Sequence, residues 1–296
     1  LGDVYKRQAV SSDTAAKDSS PATTDAAGSR DNTPVVLTGS ADGTVTYGND
    51  SVTVDASHTE EGYLMVSYLG SNSKVKLQIT GSDEITYTYN LHDGYETFPL
   101  TSGSGSYTVG VFENIEGTSY STLFTQAIDV TIQDEFGPYL YANQYVNFSA
   151  DSKVISKAME LSASANDDLE VIENVYNYII TNFTYDYDKA ASVQSGYLPN
   201  VDEVLASQTG ICFDYAAVMA SMLRCERIPT RLEVGYMGDV YHAWISTYIK
   251  DKGWVNGIIE FDGNDWKLMD PTFASTSSDP KDFLTQTDEY ITKYVY

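Results

Sequence analysis

The hydrophobic pattern of the chain changes period once, near Pro138, and that change restricts it to an all-β part followed by a mixed part. From Val35 to roughly Gln133, short runs alternate apolar and polar residues: Val45–Tyr47, Ser51–Val54, Leu64–Tyr68, Val75–Ile79, Ile85–Tyr89, Tyr107–Phe112 and Phe124–Val130. Alternation of this kind sends successive side chains to opposite faces of a strand. Seven or eight such runs in about a hundred residues match the spacing of a sandwich. Turn chemistry lies between them at Gly70-Ser71-Asn72, Gly81-Ser82-Asp83, His92-Asp93-Gly94 and Ser102 to Gly105. These features predict an immunoglobulin-like β-sandwich over residues 34–136.

Beyond Pro138 the apolar residues recur every three to four positions. Helices are predicted from Asp151 to about Ser162 and from Asp167 to about Phe183, the second through Leu169, Ile172, Val175, Tyr176 and Ile179. Asn166 or Asp167 suits its N-cap, with Glu170 at capping-box distance. An extended Thr184–Tyr187, a loop and a small helix near Val201 to Ala206 follow. The run from Gly210 to Cys225 is apolar on nearly all sides, so it belongs at the centre of a domain. Its Ala216, Ala217 and Ala220 would let a sheet approach closely. Strands are predicted at Arg231–Tyr236, Val240–Ile249 and Trp266–Asp270, the last ended by Pro271. Helices first and an antiparallel sheet second make the 137–296 part α+β.

Charge narrows the function classes. The 296 residues carry 17 Lys plus Arg against 42 Asp plus Glu, a formal net charge of −25. That field repels phosphate backbones and anionic lipid surfaces, which argues against a nucleic-acid partner. No apolar run reaches the length of a membrane-spanning helix. Residues 1–33 are dominated by Ser, Thr, Ala and Asp and read as a disordered spacer or an assembly scar. The chain opens without Met and without an apolar signal core, so the expectation is a start from which the natural N-terminus is missing. The spacer, the few lysines and the many tyrosines point to a secreted or cell-surface setting.

Cys212 opens the buried helix directly after Gly210-Ile211. A thiol there feels the positive end of the helix dipole and has backbone N–H groups beside it, and both favour thiolate and can hold an oxyanion. His242 shares one strand face with Trp244, Ser246 and Tyr248. Asp270 ends the strand that begins at Trp266. If these two strands pair antiparallel across the Asp251–Asp265 connection, His242 and Asp270 meet as a base and its orienting carboxylate.

Gly210-x-Cys212-x-Asp214-Tyr215-Ala216, Tyr241-His242-Ala243-Trp244 and Trp266-x-x-x-Asp270-Pro271-Thr272 together resemble the transglutaminase-like superfamily of papain-fold thiol enzymes. Ile228-Pro229-Thr230-Arg231 with Gly235-Tyr236 is similar to that family's helix-to-strand segment. The resemblance covers about Asp151 to Ala274, with the three motifs in the family's Cys, His, Asp order. It implies a papain-like domain with a central Cys helix packed on an antiparallel sheet. It also implies Cys212 as nucleophile, His242 as general base and acid, and Asp270 as the group holding the imidazole. Related enzymes complete the oxyanion hole with a side chain upstream of the Cys, for which Gln208 and Tyr185 are the two candidates. The implied chemistry is acyl transfer through a thioester on a peptide or protein substrate, with hydrolysis favoured over cross-linking. The rival classes are a non-enzymatic surface module and an intramolecular cross-linker. Neither a cofactor nor a metal is implied, because no run has calcium-loop or zinc-ligand spacing.

Each of these residues also has a plainer reading. Cys225 lies thirteen residues beyond Cys212 on the same predicted helix, about 20 Å away by helical rise, so it cannot form a disulfide with Cys212 and is a core thiol. Asp214, one turn into the helix, is expected to serve local hydrogen bonds. His58 and His92 sit among sandwich strands with no catalytic setting, and the sandwich tyrosines follow ordinary strand propensity.

Overall fold

The structure is a computed structural model that describes residues 28–237, 239–256, 259–261, 266–268 and 290–296. Eight strands fill the first half: β1 (Thr46–Gly48), β2 (Val52–Asp55), β3 (Tyr63–Tyr68), β4 (Val75–Thr80), β5 (Thr86–Asn90), β6 (Gly94–Pro99), β7 (Gly105–Glu116) and β8 (Ser119–Val130). They form two antiparallel four-stranded sheets, β1-β2-β3-β6 and β5-β4-β7-β8. Numbering β2 to β8 as seven strands puts the first, second and fifth in one sheet and the fourth, third, sixth and seventh in the other. This order differs from the constant-type immunoglobulin arrangement only in the fourth strand, which pairs with the third. Val54, Leu64 and Phe98 of one sheet and Leu77, Tyr89 and Val109 of the other share one core, and the Tyr89 and Phe98 rings meet edge-on at 4.8 Å.

The second half contains α1 (Lys153–Ser162), α2 (Asp168–Asn182), β9 (Thr184–Tyr185), α3 (Tyr187–Ser192), α4 (Val201–Ser207), β10 (Thr209–Gly210) and α5 (Cys212–Cys225). Then follow β11 (Thr230–Met237), β12 (Val240–Ile249), β13 (Gly253–Asn256), β14 (Ile259–Phe261), β15 (Trp266–Leu268) and β16 (Tyr290–Val295). Together with the sandwich this is the α+β order read from the sequence. The Asp167 side chain caps α2 by accepting from the Glu170 N–H at 2.9 Å. Every residue of α5 from Asp214 to Cys225 is buried, because α1, α2, α4, β11 and β12 all touch this helix.

The main sheet has the order β13-β12-β11-β16. In the β11–β12 ladder, Leu232 faces Ile245 and Val234 faces Ala243, and these four enter the core shared with α5. The alternate pairs, Glu233 with Trp244 and Gly235 with His242, face the other way. One expectation is corrected: the strand at Trp266 does not pair with β12 among the described residues. β15 pairs with β14, while β12 pairs with β11 and β13. The tight turn after Ile249 returns the chain at once onto β12 and occupies that neighbour position first. Asp270 and most of the 1–33 spacer lie outside the described residues.

Two fastenings join the halves. In the first, Tyr296 beyond β16 stacks on Tyr145 at 3.8 Å and meets Tyr87 and Tyr89 of the sandwich edge-on. The buried Arg224 of α5 donates to the carbonyls of Thr230, Tyr141 and Tyr296 at 2.7–3.0 Å. Burial pushes its guanidinium down to about 9.

The second fastening is the extended segment from Gly28 to Leu37, which lies along the helical half. The Gly28 N–H donates to Ala163, the Val35 N–H to Cys225, and the Asn32 amide to Ala165. Arg30 pairs with Asp168 at 2.7 Å and with the fully buried Glu226 at 3.1 Å. Burial already raises the Glu226 carboxyl. Arg30→Ala removes its counter-charge, and a stranded buried charge costs about 3–5 kcal/mol. With its carboxyl raised further above the unfolded value, the folded state would bind more protons than the unfolded one, so the loss grows as pH rises. Urea denaturation at acidic and alkaline pH reads this directly, with the variant falling further below wild type at alkaline pH.

Candidate active site

Cys212 is the first residue of α5. Its position is set by a short parallel bridge, in which β10 pairs with β9 so that Gly210 lies beside Tyr185. The Thr184 and Asp186 N–H groups donate to the Gln208 and Gly210 carbonyls, both at 2.9 Å. A Cβ on Gly210 would lie 2.7 Å from the Asp214 Cβ, so glycine alone fits that place in the Gly-x-Cys-x-Asp motif. The Asp214 carboxylate accepts from the Ile211 N–H at 2.8 Å and from Lys189 Nζ at 2.7 Å, and the Tyr197 hydroxyl also donates to it. Asp214 thereby fastens α3 and its following loop to the start of α5. The sequence reading assigned Asp214 to local hydrogen bonds but did not single out Lys189, in the short helix α3, or Tyr197, in the loop after it, since neither position carries a periodic signal.

The thiol lies against the strand that bears His242. Tyr248 donates its N–H to Pro229 on the β11 side of β12, and strand alternation then turns the Ala243 N–H to the opposite side. There β13 pairs only with Ser246 to Ile249. The Ala243 N–H is left to the Cys212 Sγ, which also has the Phe213 N–H and the Tyr185 hydroxyl within hydrogen-bonding reach. The Tyr185 hydroxyl is likewise in reach of the Cys212 backbone N–H. Tyr185 and Cys212 thus come together. Gln208 does not join them: it ends α4 in the left-handed region at φ 50°, and its amide points to the Tyr178 hydroxyl at 3.4 Å.

Burial sets the electrostatics. It raises the Cys212 thiol above its ordinary value, and this outweighs the surrounding N–H and hydroxyl donors that favour thiolate. The sequence expectation weighed only the helix dipole and those donors. Burial likewise lowers His242 to about 4, so the imidazole is neutral at physiological pH. The His242 Nε2 is buried without a hydrogen-bond partner among the described residues, a costly state for a polar nitrogen. The Tyr185 hydroxyl is pushed up to about 12, chiefly by burial, and remains a protonated donor. At the far end of α5, Cys225 is fully buried against the Met222 carbonyl and raised to about 12. Both cysteines are unpaired. Among the described residues no group of three or more His, Cys, Asp or Glu is arranged to hold a metal ion, and no helix is long and apolar enough to cross a membrane.

A central thiol-bearing helix packed on an antiparallel sheet is the architecture of a thiol-enzyme class. Residues 155–257 match the family model of the transglutaminase-like superfamily, and this part of the chain is a transglutaminase-like domain. The UPF0252 protein MJ1282 of Methanocaldococcus jannaschii is 28% identical over 89 residues, which span 28% of this chain and 24% of that protein. The chain therefore matches about a quarter of the length of that curated relative. Among solved structures, a candidate cysteine protease from Cytophaga hutchinsonii aligns over 72% of this chain and 78% of its own, at 15% identity and TM-score 0.37. Red sea bream transglutaminase aligns over 72% of this chain and 48% of its own, at 15% identity and TM-score 0.28. The periplasmic domain of TgpA from Pseudomonas aeruginosa aligns over 80% and 99%, at 15% identity and TM-score 0.31.

Proposed function

We infer that the chain is a cysteine-dependent acyl-transfer enzyme that hydrolyses amide bonds of peptides or proteins through a thioester on Cys212. The observation that carries this reading is the meeting of three groups at the start of α5: the Cys212 thiol, the Cys212 N–H and the Tyr185 hydroxyl. A carbonyl attacked by the thiol would place its developing oxyanion between those two donors, where preorganised hydrogen bonds stabilise the transition state. His242 takes the thiol proton as Sγ bonds to the carbonyl carbon, then delivers it to the departing amine. Water attacks the thioester in the second half, and His242 reverses its role. A neutral resting imidazole and a protonated resting thiol suit transfer during attack rather than a standing ion pair.

We assign Asp270 the third role, a carboxylate that would accept from His242 Nε2, which is buried without a partner among the described residues. In this division of labour, residues 137–296 form the thiol domain, residues 34–136 the sandwich that buttresses it, and residues 1–33 the lead-in. A secreted or cell-surface setting is supported by the acidic, lysine-poor composition and the Ser/Thr/Ala/Asp-rich start.

The test is to mix the enzyme with a pool of unstructured peptides, quench within seconds, and measure the intact mass. An acyl adduct on Cys212 that decays as new peptide termini appear is the expected result. Adducts that pass to added amines in preference to water would mean cross-linking. Absence of any adduct and any cleavage would leave the module reading. Tyr185→Phe should keep the fold and lower kcat about 10²–10³-fold, the effect of removing one oxyanion donor, measured on whichever peptide turns over.

A further inference from the structure

The sheet face that carries Ala243 continues past the start of α5. Val234 and Ala243, opposite each other on β11 and β12, are 8% and 7% exposed beneath the helix. The next pair on that face, Tyr236 and Tyr241, is 39% and 58% exposed, and Ile291, opposite Tyr236 on β16, is 56% exposed. The helix begins at Cys212, so it leaves this end of the face uncovered. The two tyrosine rings meet edge-on at 5.3 Å, which holds them as a firm apolar floor. On the helix side of the strip, Tyr145 packs on Phe213, the neighbour of Cys212, at 5.5 Å. Exposed Asp239 sits in the turn between β11 and β12, within a chain of formal net charge −25.

We propose that Tyr241, Tyr236 and Ile291 form a substrate subsite that seats an aromatic or large aliphatic side chain of a cationic peptide beside the Cys212 thiol. The proposal rests on the acyl-transfer reading of Cys212 and deepens it by naming the substrate class. Tyr241 stands two positions before Ala243 on the strand, about 7 Å away. The seated side chain therefore belongs to the second residue counted from the reactive carbonyl of an extended peptide. Asp239 and the net negative charge of the chain favour lysine or arginine further along that peptide, an attraction that salt screens.

The experiment uses the whole chain and two peptidyl vinyl sulfones flanked by lysines, identical except for Phe or Ala at that second position. Labelling of Cys212 is followed by mass spectrometry. The Phe probe should react about tenfold faster than the Ala probe, the scale of a filled apolar pocket, and both should slow in about 0.5 M salt. Tyr241→Ala and Tyr236→Ala should bring the ratio close to one, while Leu69→Ser, at the 71% exposed Leu69 of the sandwich, should leave it unchanged. Efficient labelling with no preference in wild type, or a preference that survives both tyrosine changes, overturns the subsite and leaves the thiol enzyme standing. If neither probe labels wild-type Cys212, both readings fall together.

Discussion

Peptide turnover should disappear in Cys212→Ala and fall about 10²–10⁴-fold in His242→Ala, the range of a lost general base. The two variants separate nucleophile from base because the thiol's surroundings act against spontaneous ionisation. Burial raises Cys212, and the N–H groups of Ala243 and Phe213 do not reverse it. Without His242 the thiol must ionise unaided, so alkylation of Cys212 at neutral pH should slow and recover only as alkali titrates the thiol itself. In wild type the neutral imidazole, which burial favours, is available to accept a proton at neutral pH. Alkylation by iodoacetamide across pH, read separately at both cysteines, gives the answer. Cys225, buried and bonded to the Met222 carbonyl, should stay inert in the folded state, and Cys225→Ser should leave turnover unchanged. Equal Cys212 reactivity in wild type and His242→Ala would remove His242 from the proton path.

How far this site could be read from the sequence depended on which interactions were local. The sandwich strands announced themselves because each keeps alternate side chains in one core, as Val75, Leu77 and Ile79 of β4 do. β6 did not, because only Phe98 and Pro99 at its end are buried and its first residues, Gly94 to Thr97, are wholly or partly exposed. β16 was missed for a related reason: its Tyr290 to Val295 joins the sheet through a ladder with β11, distant in the chain, and only the following Tyr296 is deeply buried. The places of Cys212 at a helix start and of His242 on a strand were legible because both are short-range patterns. The choice between Gln208 and Tyr185 was not, since it depends on a two-residue parallel bridge that carries Tyr185 to Gly210. The left-handed turn at Gln208, which sends its amide to Tyr178, has no sequence signal stronger than its place at the end of α4.

Asp270→Asn should lower kcat about 10³–10⁴-fold, the order seen when a triad carboxylate is replaced by its amide, and should also move the acid limb of the rate profile. The sign follows from charge. A carboxylate beside an imidazole favours the imidazolium and raises its pKa, and an amide removes that support. Burial alone holds His242 at about 4. An engaged Asp270 would therefore place the wild-type acid limb above that value, and the variant limb should drop toward it. The direction is opposite to that of general destabilisation, which would make the variant fail earlier on acidification. The amide would also offer an N–H where Nε2 needs an acceptor, turning the ring toward the unproductive tautomer and leaving a buried donor unsatisfied. The profile of kcat/KM against pH for both proteins, on the peptide identified by thioester trapping, distinguishes these effects. A drop in rate with an unmoved limb would make Asp270 a structural residue, and an unchanged rate would mean that some other acceptor meets the buried nitrogen of His242.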